Sequence, residues 1–398
     1  MTLPTTLAQF RHDPPALVVE YTDPERGFRG WFVRHRLDHR LCAGGMRVQA
    51  GLTREHVAAM ARNMTLKMRI AALNVDGAKC GIALDPADPD KHAAMQRFLA
   101  ALRPYIETTY SMGPDLNVDM EELTTVLGRL GLPSPKIAVA RAQGWDLDYF
   151  EERSRILATE VERGWSLGRL RAGYGVAAAV LAVLDRLGIP AAKARIAIQG
   201  CGQVGQGAAL VLARHGVRIV AAGDAEKTIA DPAGLDITTI TGAGRGGILP
   251  PLSGTLEREA VLAVPCDVLV AAAVEASISA ANAHRLRCRA VVPGANLAVT
   301  PEAETLLAER DILVLPDFVA GCGGSLSMEG LYGPEHHPAA DEVLEHIATK
   351  MATLVSDIIT LGRSRDILLS EAAYQLCRQR PLHGHLPPYV VCHGCPPN

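Results

Sequence analysis

Aromatic side chains make up only 4% of the 398 residues, and lysine is rarer than its charge class suggests: seven of the forty basic residues, with arginine supplying the rest. The alanine, arginine and glycine that fill the composition read as codon bias rather than as function. No run of basic residues stands out, the formal net charge is −3 and the charged fraction is 21%, which argues against a nucleic-acid or membrane-surface partner. No stretch reaches about 18 uninterrupted apolar residues, so no membrane span is expected. The start, "MTLPTTLAQFRHDPP", lacks an apolar core, so no secretory signal is expected. Nine cysteines are scattered and odd in number. Cys42, Cys80, Cys201, Cys266, Cys288 and Cys322 sit in apolar or Gly-rich surroundings, the pattern of reduced thiols in a cytoplasmic protein rather than of a disulfide framework. No internal repeat is visible.

What is present suffices for two domains with full cores. Residues 1–150 interleave short strands ("ALVVEY", "GFRGWFVRHR", "CGIAL") with amphipathic helices. In "TREHVAAMARNMTLKMRIAAL", Val57, Met60, Met64 and Met68 recur at helical spacing. That is an α+β unit. Residues 151–339 alternate apolar strands with helices, the signature of a parallel sheet. The expected class is therefore α/β, an N-terminal α+β domain followed by a Rossmann-type domain. A last amphipathic helix within about 340–380 presents Val343, Ile347, Met351, Leu354 and Ile358 on one face and is expected to pack back on the first domain. The Pro/His-rich tail, 381–398, reads as loose.

The second domain opens on "ARIAIQGCGQVGQGAALVLARHG". A lone GxGxxG is weak, but here it follows a strand and starts a helix. Gly200 permits the tight turn, Gly202 lets backbone approach a pyrophosphate, and Gly205 lets helix and sheet pack closely. The helix N-terminus, at Gln203 and Val204, offers amides to the phosphates. Asp224 ends the second strand, where a carboxylate can bind ribose hydroxyls, favouring NAD without excluding NADP. The bland alternatives are a turn that binds nothing and an Asp224 that only shapes a loop.

Two of the rare lysines, Lys67 and Lys79, fall in "MTLKMRIAALNVDGAKCGI". Lys79 precedes an apolar strand. Burial disfavours an ammonium, so such a lysine can serve as a general base, which arginine cannot. Lys67 can stay charged and hold a carboxylate. The alternative is two surface lysines.

These pieces resemble the glutamate/leucine/phenylalanine/valine dehydrogenases, which oxidatively deaminate amino acids with a nicotinamide cofactor. The likeness runs from about residue 17 to about residue 360 through blocks in the family's order: "CAGGMRV", the two-lysine block, "YSMGPDL", "AGYGV", "IQGCGQVG", "CDVLVAAAVEASIS", "VVPGANLAVTPEAETLL" and "ILVLPDFVAGCGGSL". The resemblance implies a substrate domain before the Rossmann domain, a cleft between them, and a homo-oligomer. It implies that Lys67 binds the substrate α-carboxylate, that Lys79 is a low-pKa lysine activating water, and that Asp115 shuttles protons, with Asn117 and Asp119 as fallbacks. Gly44, Gly45, Met46 and Met64 would line the substrate site. Ala271, Ala272, Ala273 and Asn296 would border the cofactor. The substrate would be a small molecule, an amino acid or its 2-oxo acid, with no metal required.

Departures from the family pattern carry information. The lysine that meets a γ-carboxylate in glutamate enzymes is replaced by Ala43, and a serine contact by Met328. With neither charge nor hydroxyl, a second carboxylate would be buried unpaired, so an apolar or aromatic substrate of the leucine/phenylalanine type is expected. A threonine and an asparagine that touch the nicotinamide become Ala172 and Gly321 in Gly321-Cys322-Gly323-Gly324, and Asp76 stands ready to pair with a lysine. These changes keep two alternatives open: a relative acting on an unusual amino or oxo acid, and a catalytically silent homologue that binds a ligand. Smaller candidates are a metal held by "CHGC" (Cys392, Cys395) with His383 and His385, the "EHHP" loop at Glu335, and a reactive Cys322.

Overall fold

The computed structural model describes residues 3–162, 164–244, 246–250, 254–380 and 382–390. Contacts divide the chain into two units, Met1–Ser154 together with Cys377–Asn398, and Arg155–Leu376.

The first unit contains α1 (Leu7–Phe10), β1 (Leu17–Thr22), β2 (Arg29–Arg34), β3 (Leu41–Val48), α2 (Arg54–Ile70), β4 (Val75–Ile82), α3 (Lys91–Thr108), β5 (Tyr110–Pro114), α4 (Met120–Arg129), α5 (Ile137–Gln143) and α6 (Leu147–Ser154). Its five-stranded sheet has the order β1-β2-β4-β3-β5. β1, β2 and β4 pair antiparallel, while β4, β3 and β5 pair parallel. Side chains alternate across the strands. Phe32, Cys42, Met46, Cys80, Ile82 and Met112 join Phe98, Leu99 and Leu102 of α3 in the main core. The opposite face meets α2 through Trp31, Val33, Val57, Met60 and Ala61. Local chemistry sets the helix starts: Thr53 caps α2 by accepting the His56 N–H, and Asp119 with Glu122 closes a reciprocal capping box on α4. Gly77 lets α2 sit directly on β4. A Cβ there would lie 2.1 Å from the Thr65 nitrogen and 2.5 Å from the Ala61 oxygen.

The second unit contains β6 (Glu160–Glu162), β7 (Trp165–Ser166), α7 (Leu167–Arg186), β8 (Arg195–Gln199), α8 (Gln203–Arg214), β9 (Arg218–Gly223), β10 (Lys227–Ala230), α9 (Ile237–Thr241), β11 (Leu256–Glu257), β12 (Val268–Ala271), β13 (Ala290–Pro293), α10 (Pro301–Ala308), β14 (Leu313–Val314), α11 (Asp317–Ala320), α12 (Gly323–Tyr332) and α13 (Ala340–Arg365). α14 (Leu369–Gln379) follows. The sheet order is β11-β10-β9-β8-β12-β13-β14. From β9 through β14 the pairs are parallel, and β10 and β11 add antiparallel. The chain winds outward from β8 in one direction and from β12 in the other. The switch point between them is where open α/β sheets bind ligands. The expected α/β class with a Rossmann-type half holds. α7 is long and apolar enough to cross a membrane, yet 61% of its most apolar window is buried within the protein, where it packs on α8, α12 and α13.

The C-terminal expectations need refinement. α13 buries the face read from its periodicity, Val343, Ile347, Met351, Leu354 and Ile358, and packs on α7 and α12 within the second unit, while the end of the 340–380 segment joins the first unit from Cys377 on, where the thiol donates to the Leu66 carbonyl. Periodicity identifies a face, not its partner. The tail is docked as far as residue 390: Pro388 and Pro387 carbonyls accept from the Asn74 backbone and side-chain N–H groups, and Tyr389 exchanges two hydrogen bonds with Gln143. Cys392 and Cys395 lie outside the described residues.

Cys42, Cys80, Cys201, Cys266, Cys322 and Cys377 are buried free thiols, and Cys288 is half-buried. Burial pushes the Cys42, Cys80 and Cys201 thiols up to about 12.

Gly77→Ala forces a methyl into α2 backbone and is expected to cost about 3 kcal/mol. Gly128→Ala, on α4 with nothing within 4 Å of the new Cβ, is expected to stabilise by about 0.5–1 kcal/mol. Urea denaturation of both variants checks the contrast.

Candidate active site

The sequence-derived Lys79 and Asp115 meet. Lys79 Nζ lies 3.0 Å from Asp115 Oδ1, and Arg47 Nε donates to Asp115 Oδ2 at 2.6 Å. Glycines make the approach possible. A Cβ on Gly44 would fall 1.8 Å from the Ala78 carbonyl oxygen, and one on Gly45 would sit 3.0 Å from Asp115 Cβ. β3 therefore closes on β4 and on the end of β5, where the Asp115 N–H bonds the Met46 carbonyl at 3.0 Å. Burial is the largest influence on the Asp115 carboxyl and acts to raise its pKa. The charges and hydrogen bonds of Lys79 and Arg47 together outweigh it and hold the group at about 2. Asp115 is thus a fixed carboxylate at neutral pH, an acceptor of hydrogen bonds and a counter-ion for cationic partners.

The fallbacks have other tasks. Asp119 caps α4, and Asn117 adopts a left-handed φ of 61° while its side chain donates to the Val48 carbonyl. Lys67 is buried on the last turn of α2, with Met64 half-buried one turn earlier, on the helix that covers the Lys79 face. Met46 does not line a site. It is fully buried in the main core, because alternation sends it to the face opposite Gly45 and Arg47. Asp76 does not pair with Lys79. Residues three apart on a strand point to opposite faces, so Asp76 bonds Arg34 at 2.7 Å and His39 at 2.9 Å instead.

Three polar groups escaped the sequence reading. Arg47 directly follows the glycine pair's methionine and holds Asp115. Lys136 is 7% exposed and Ser111 is 5% exposed; Ser111 pairs in register with Ala43. Lysine scarcity, the same signal that singled out Lys67 and Lys79, was sufficient to single out Lys136.

In the second unit the glycine turn has the form a pyrophosphate requires. Gly200 has φ 96°, and a Cβ there would lie 2.5 Å from the Ala272 carbonyl carbon and oxygen and from the Ala273 nitrogen. A Cβ on Gly205 would lie 1.9 Å from the Gly200 oxygen. Gly202 caps α8 without a side chain and has nothing within 4 Å of its Cβ direction, so the amides of Gln203 and Val204 begin the helix beside open space. The Gln203 side chain donates to the Arg169 carbonyl at 2.9 Å. Gly294 brings β13 against Ala272 and Val204, and Asn296 follows two residues on, half-buried. These residues fit a dinucleotide.

Asp224 is corrected from ribose ligand to turn staple. Its side chain is 1% exposed. Oδ1 accepts from the Glu226 and Lys227 amides at 2.7 and 2.8 Å, and Oδ2 from the Leu249 amide at 2.7 Å. Burial acts to raise this carboxyl, but those amides, Leu249 first, hold it below the usual range. The argument for NAD over NADP therefore loses its residue.

The late block is structural here. A Cβ on Gly175 would lie 2.5 Å from Gly323 Cα, so α7 and α12 cross at paired glycines, with Ala172 and Gly321 half-buried nearby in sequence. Cys322 is fully buried, a filler rather than a reactive thiol. Met328 is not in a purely apolar setting. Arg171 Nη1 lies 3.5 Å from its sulfur and 3.0 Å from the Ser327 hydroxyl. His336 of the "EHHP" loop bonds Glu342 at 2.8 Å. Among the described residues no group of three or more His, Cys, Asp or Glu is placed to hold a metal ion.

A glycine turn at the switch point of a parallel sheet, and a buried lysine–aspartate pair on a second sheet, are the features of a dinucleotide-binding enzyme. Residues 164–381 match the family described as Glutamate/Leucine/Phenylalanine/Valine dehydrogenase, and residues 15–130 match the Glu/Leu/Phe/Val dehydrogenase dimerisation domain. The chain belongs to that family and is an amino-acid dehydrogenase. It is 32% identical over 308 residues to the glutamate dehydrogenase of Thermotoga maritima, covering 75% of this chain and 70% of the relative. It is 29% identical over 359 residues to a Staphylococcus aureus NAD-specific glutamate dehydrogenase, covering 87% and 83%. It is 31% identical over 296 residues to the NADP-specific glutamate dehydrogenase A1 of Halobacterium salinarum, covering 71% and 66%. The solved hetero-hexameric glutamate dehydrogenase of Thermus thermophilus, in its Leu-bound form, superposes with a TM-score of 0.77 at 27% identity, covering 95% of this chain and 91% of that one. Relatives of both cofactor types agree with NAD as cofactor and NADP not excluded.

Gly200→Ala is expected to weaken NADH binding about tenfold or more by strain at a positive φ, while Asp224→Asn moves the NAD-to-NADP preference by less than about twofold and lowers stability; fluorescence titration checks both. Because the folded-state Asp115 carboxyl is depressed, its contribution to stability is complete above the ordinary aspartate pKa of about 3.9 and is lost as pH falls through about 2. Urea midpoints between those values are expected to fall less steeply in Asp115→Asn than in the wild type.

Proposed function

We propose that the protein catalyses oxidative deamination of an L-α-amino acid to its 2-oxo acid and ammonia, and the reverse amination. The Lys79–Asp115 ion pair at 3.0 Å, set on a sheet face by paired glycines, carries this reading. Lys67 holds the α-carboxylate as a fixed charge. Asp115, ionised and braced by Arg47, receives the substrate's amino group and its proton. Lys79 exchanges a proton with the water that adds at the imine carbon. A nicotinamide cofactor at the glycine turn supplies the hydride acceptor; the protein orients the substrate and moves protons.

The leucine/phenylalanine-type pocket, inferred from Ala43 and Met328, lacks support. The relatives compared are named glutamate dehydrogenases, and the buried Ser111 places a hydroxyl in register with Ala43, where no polar group was expected. A polar side chain on the substrate agrees better with both observations. Assembly into a homo-oligomer belongs to the same proposal, supported by the match of residues 15–130 to a dimerisation domain. Buried free thiols support a reducing, cytoplasmic setting.

With NAD or NADP and a panel of amino acids, nicotinamide reduction is expected for at least one substrate. Lys79→Ala and Asp115→Asn are expected to lower kcat by about 10²–10⁴-fold while NADH affinity shifts less than about twofold. Dinucleotide binding without turnover on any substrate would favour the silent homologue instead.

A further inference from the structure

Two cysteines of the second unit stand opposite one another. β12 and β13 run parallel with Val268 across from Ala290. The pairing extends upstream, where the Cys266 N–H donates to the Arg287 carbonyl at 3.1 Å, so Cys266 faces Cys288 on the next strand. Neighbouring strands lie about 4.8 Å apart, inside the Cα separation of about 4.4–6.8 Å that a disulfide spans. Both side chains pack on one apolar cluster with Val261, Leu262, Leu286 and Leu307, so they share a face of the sheet. Both are free thiols. After burial, the strongest influence on the Cys266 thiol is Cys288, an effect that requires the two sulfurs to be near each other.

The two thiols are not equivalent. Among the described cysteines Cys288 alone is half-buried, whereas Cys266 is 5% exposed. Burial raises both. At Cys288 the Leu269 amide and Arg310 oppose it and hold the thiol at about 11. That is below Cys266 and below the value of about 12 reached by Cys42, Cys80 and Cys201. Cys288 therefore supplies more thiolate than these, and solvent reaches it.

We propose that Cys266 and Cys288 form an oxidation site, a thiol pair that a hydroperoxide converts to a disulfide. The Cys288 thiolate attacks the peroxide, the O–O bond breaks, and the departing alkoxide or hydroxide takes up a proton. Cys288 then carries a sulfenic acid. The Cys266 sulfur displaces hydroxide from it, the S–O bond breaks, and the Cys266 proton completes a water molecule. Two thiols together lose two electrons. The hydroperoxide is reduced to its alcohol (water itself, for hydrogen peroxide) with release of one further water. Thiolate is a minor species at neutral pH, so the first step is slow and the second, within one molecule, is faster. The pair protects Cys288: a thiol reduces the disulfide again, whereas an unresolved sulfenic acid goes on to the irreversible sulfinic acid. The site is independent of the dehydrogenase reaction.

The test exposes the folded full chain to millimolar hydrogen peroxide for hours, blocks the remaining thiols and maps the peptides by mass spectrometry. A peptide linked through Cys266 and Cys288, and released by dithiothreitol, is expected. In Cys266→Ser, dimedone should capture Cys288 and prolonged exposure should carry it to the sulfinic acid. Cys266→Ala serves the same purpose if a buried hydroxyl prevents folding. In Cys288→Ser, Cys266 should be modified about tenfold less than Cys288 is in the wild type. Three results overturn the proposal: a wild type whose Cys288 becomes sulfinic acid without the linked peptide, a folded protein in which Cys288 is untouched, or a linkage that forms only in urea.

Discussion

A carboxylate gripped by two cations organises the first unit. Asp115 offers one oxygen to Lys79 and the other to Arg47, and these three residues come from three different strands or their ends. Such a cluster forms only if the backbones carrying it stand closer than side chains normally allow. Gly44 and Gly45 remove the two Cβ atoms that would keep β3 from β4 and from Asp115. The chemistry therefore depends on an absence of atoms. The same absence explains why the charge cluster survives burial: with each carboxylate oxygen paired, the desolvation that would neutralise Asp115 is offset.

The second unit uses the same device for a different ligand. Gly200 and Gly205 let a turn fold tightly against Ala272 and against itself, and the uncapped start of α8 is left facing open space. Gly175 and Gly323 then let α7 and α12 cross at backbone distance. Glycine pairs thus serve proton chemistry in one unit and both anion binding and helix packing in the other. Their positions are set by which backbone must approach which, not by loop flexibility.

Much of this was legible in the residues. The 3.6-residue period of α2 and α13, the strand–turn–helix around Gly200, and the rarity of lysine pointed to elements and groups that the structure brings together. What escaped was geometry that a one-dimensional pattern does not carry. Met46 was expected at the site from its place in the family's glycine block, and Asp76 as a lysine's partner from its nearness in sequence, yet on a strand an adjacent residue, or one three positions away, faces the other side. Asp224 stands at a strand end where a ribose ligand is expected, but the later loop bearing Leu249 claims its free oxygen. Lys136 follows a Pro-Ser-Pro segment far from any motif and is buried because that segment lies along the edge of β5.

The burial of the cysteines has a consequence for how the protein's motions are observed. Only a thiolate reacts readily with alkylating reagents, and burial keeps Cys42, Cys80 and Cys201 protonated far above neutral pH. These three thiols are therefore silent to such reagents until a segment opens. Cys42 and Cys80 lie in the sheet of the first unit and Cys201 in the dinucleotide turn of the second. The labelling rates of these thiols are separate clocks for the opening of each unit, built into the natural sequence without an added probe.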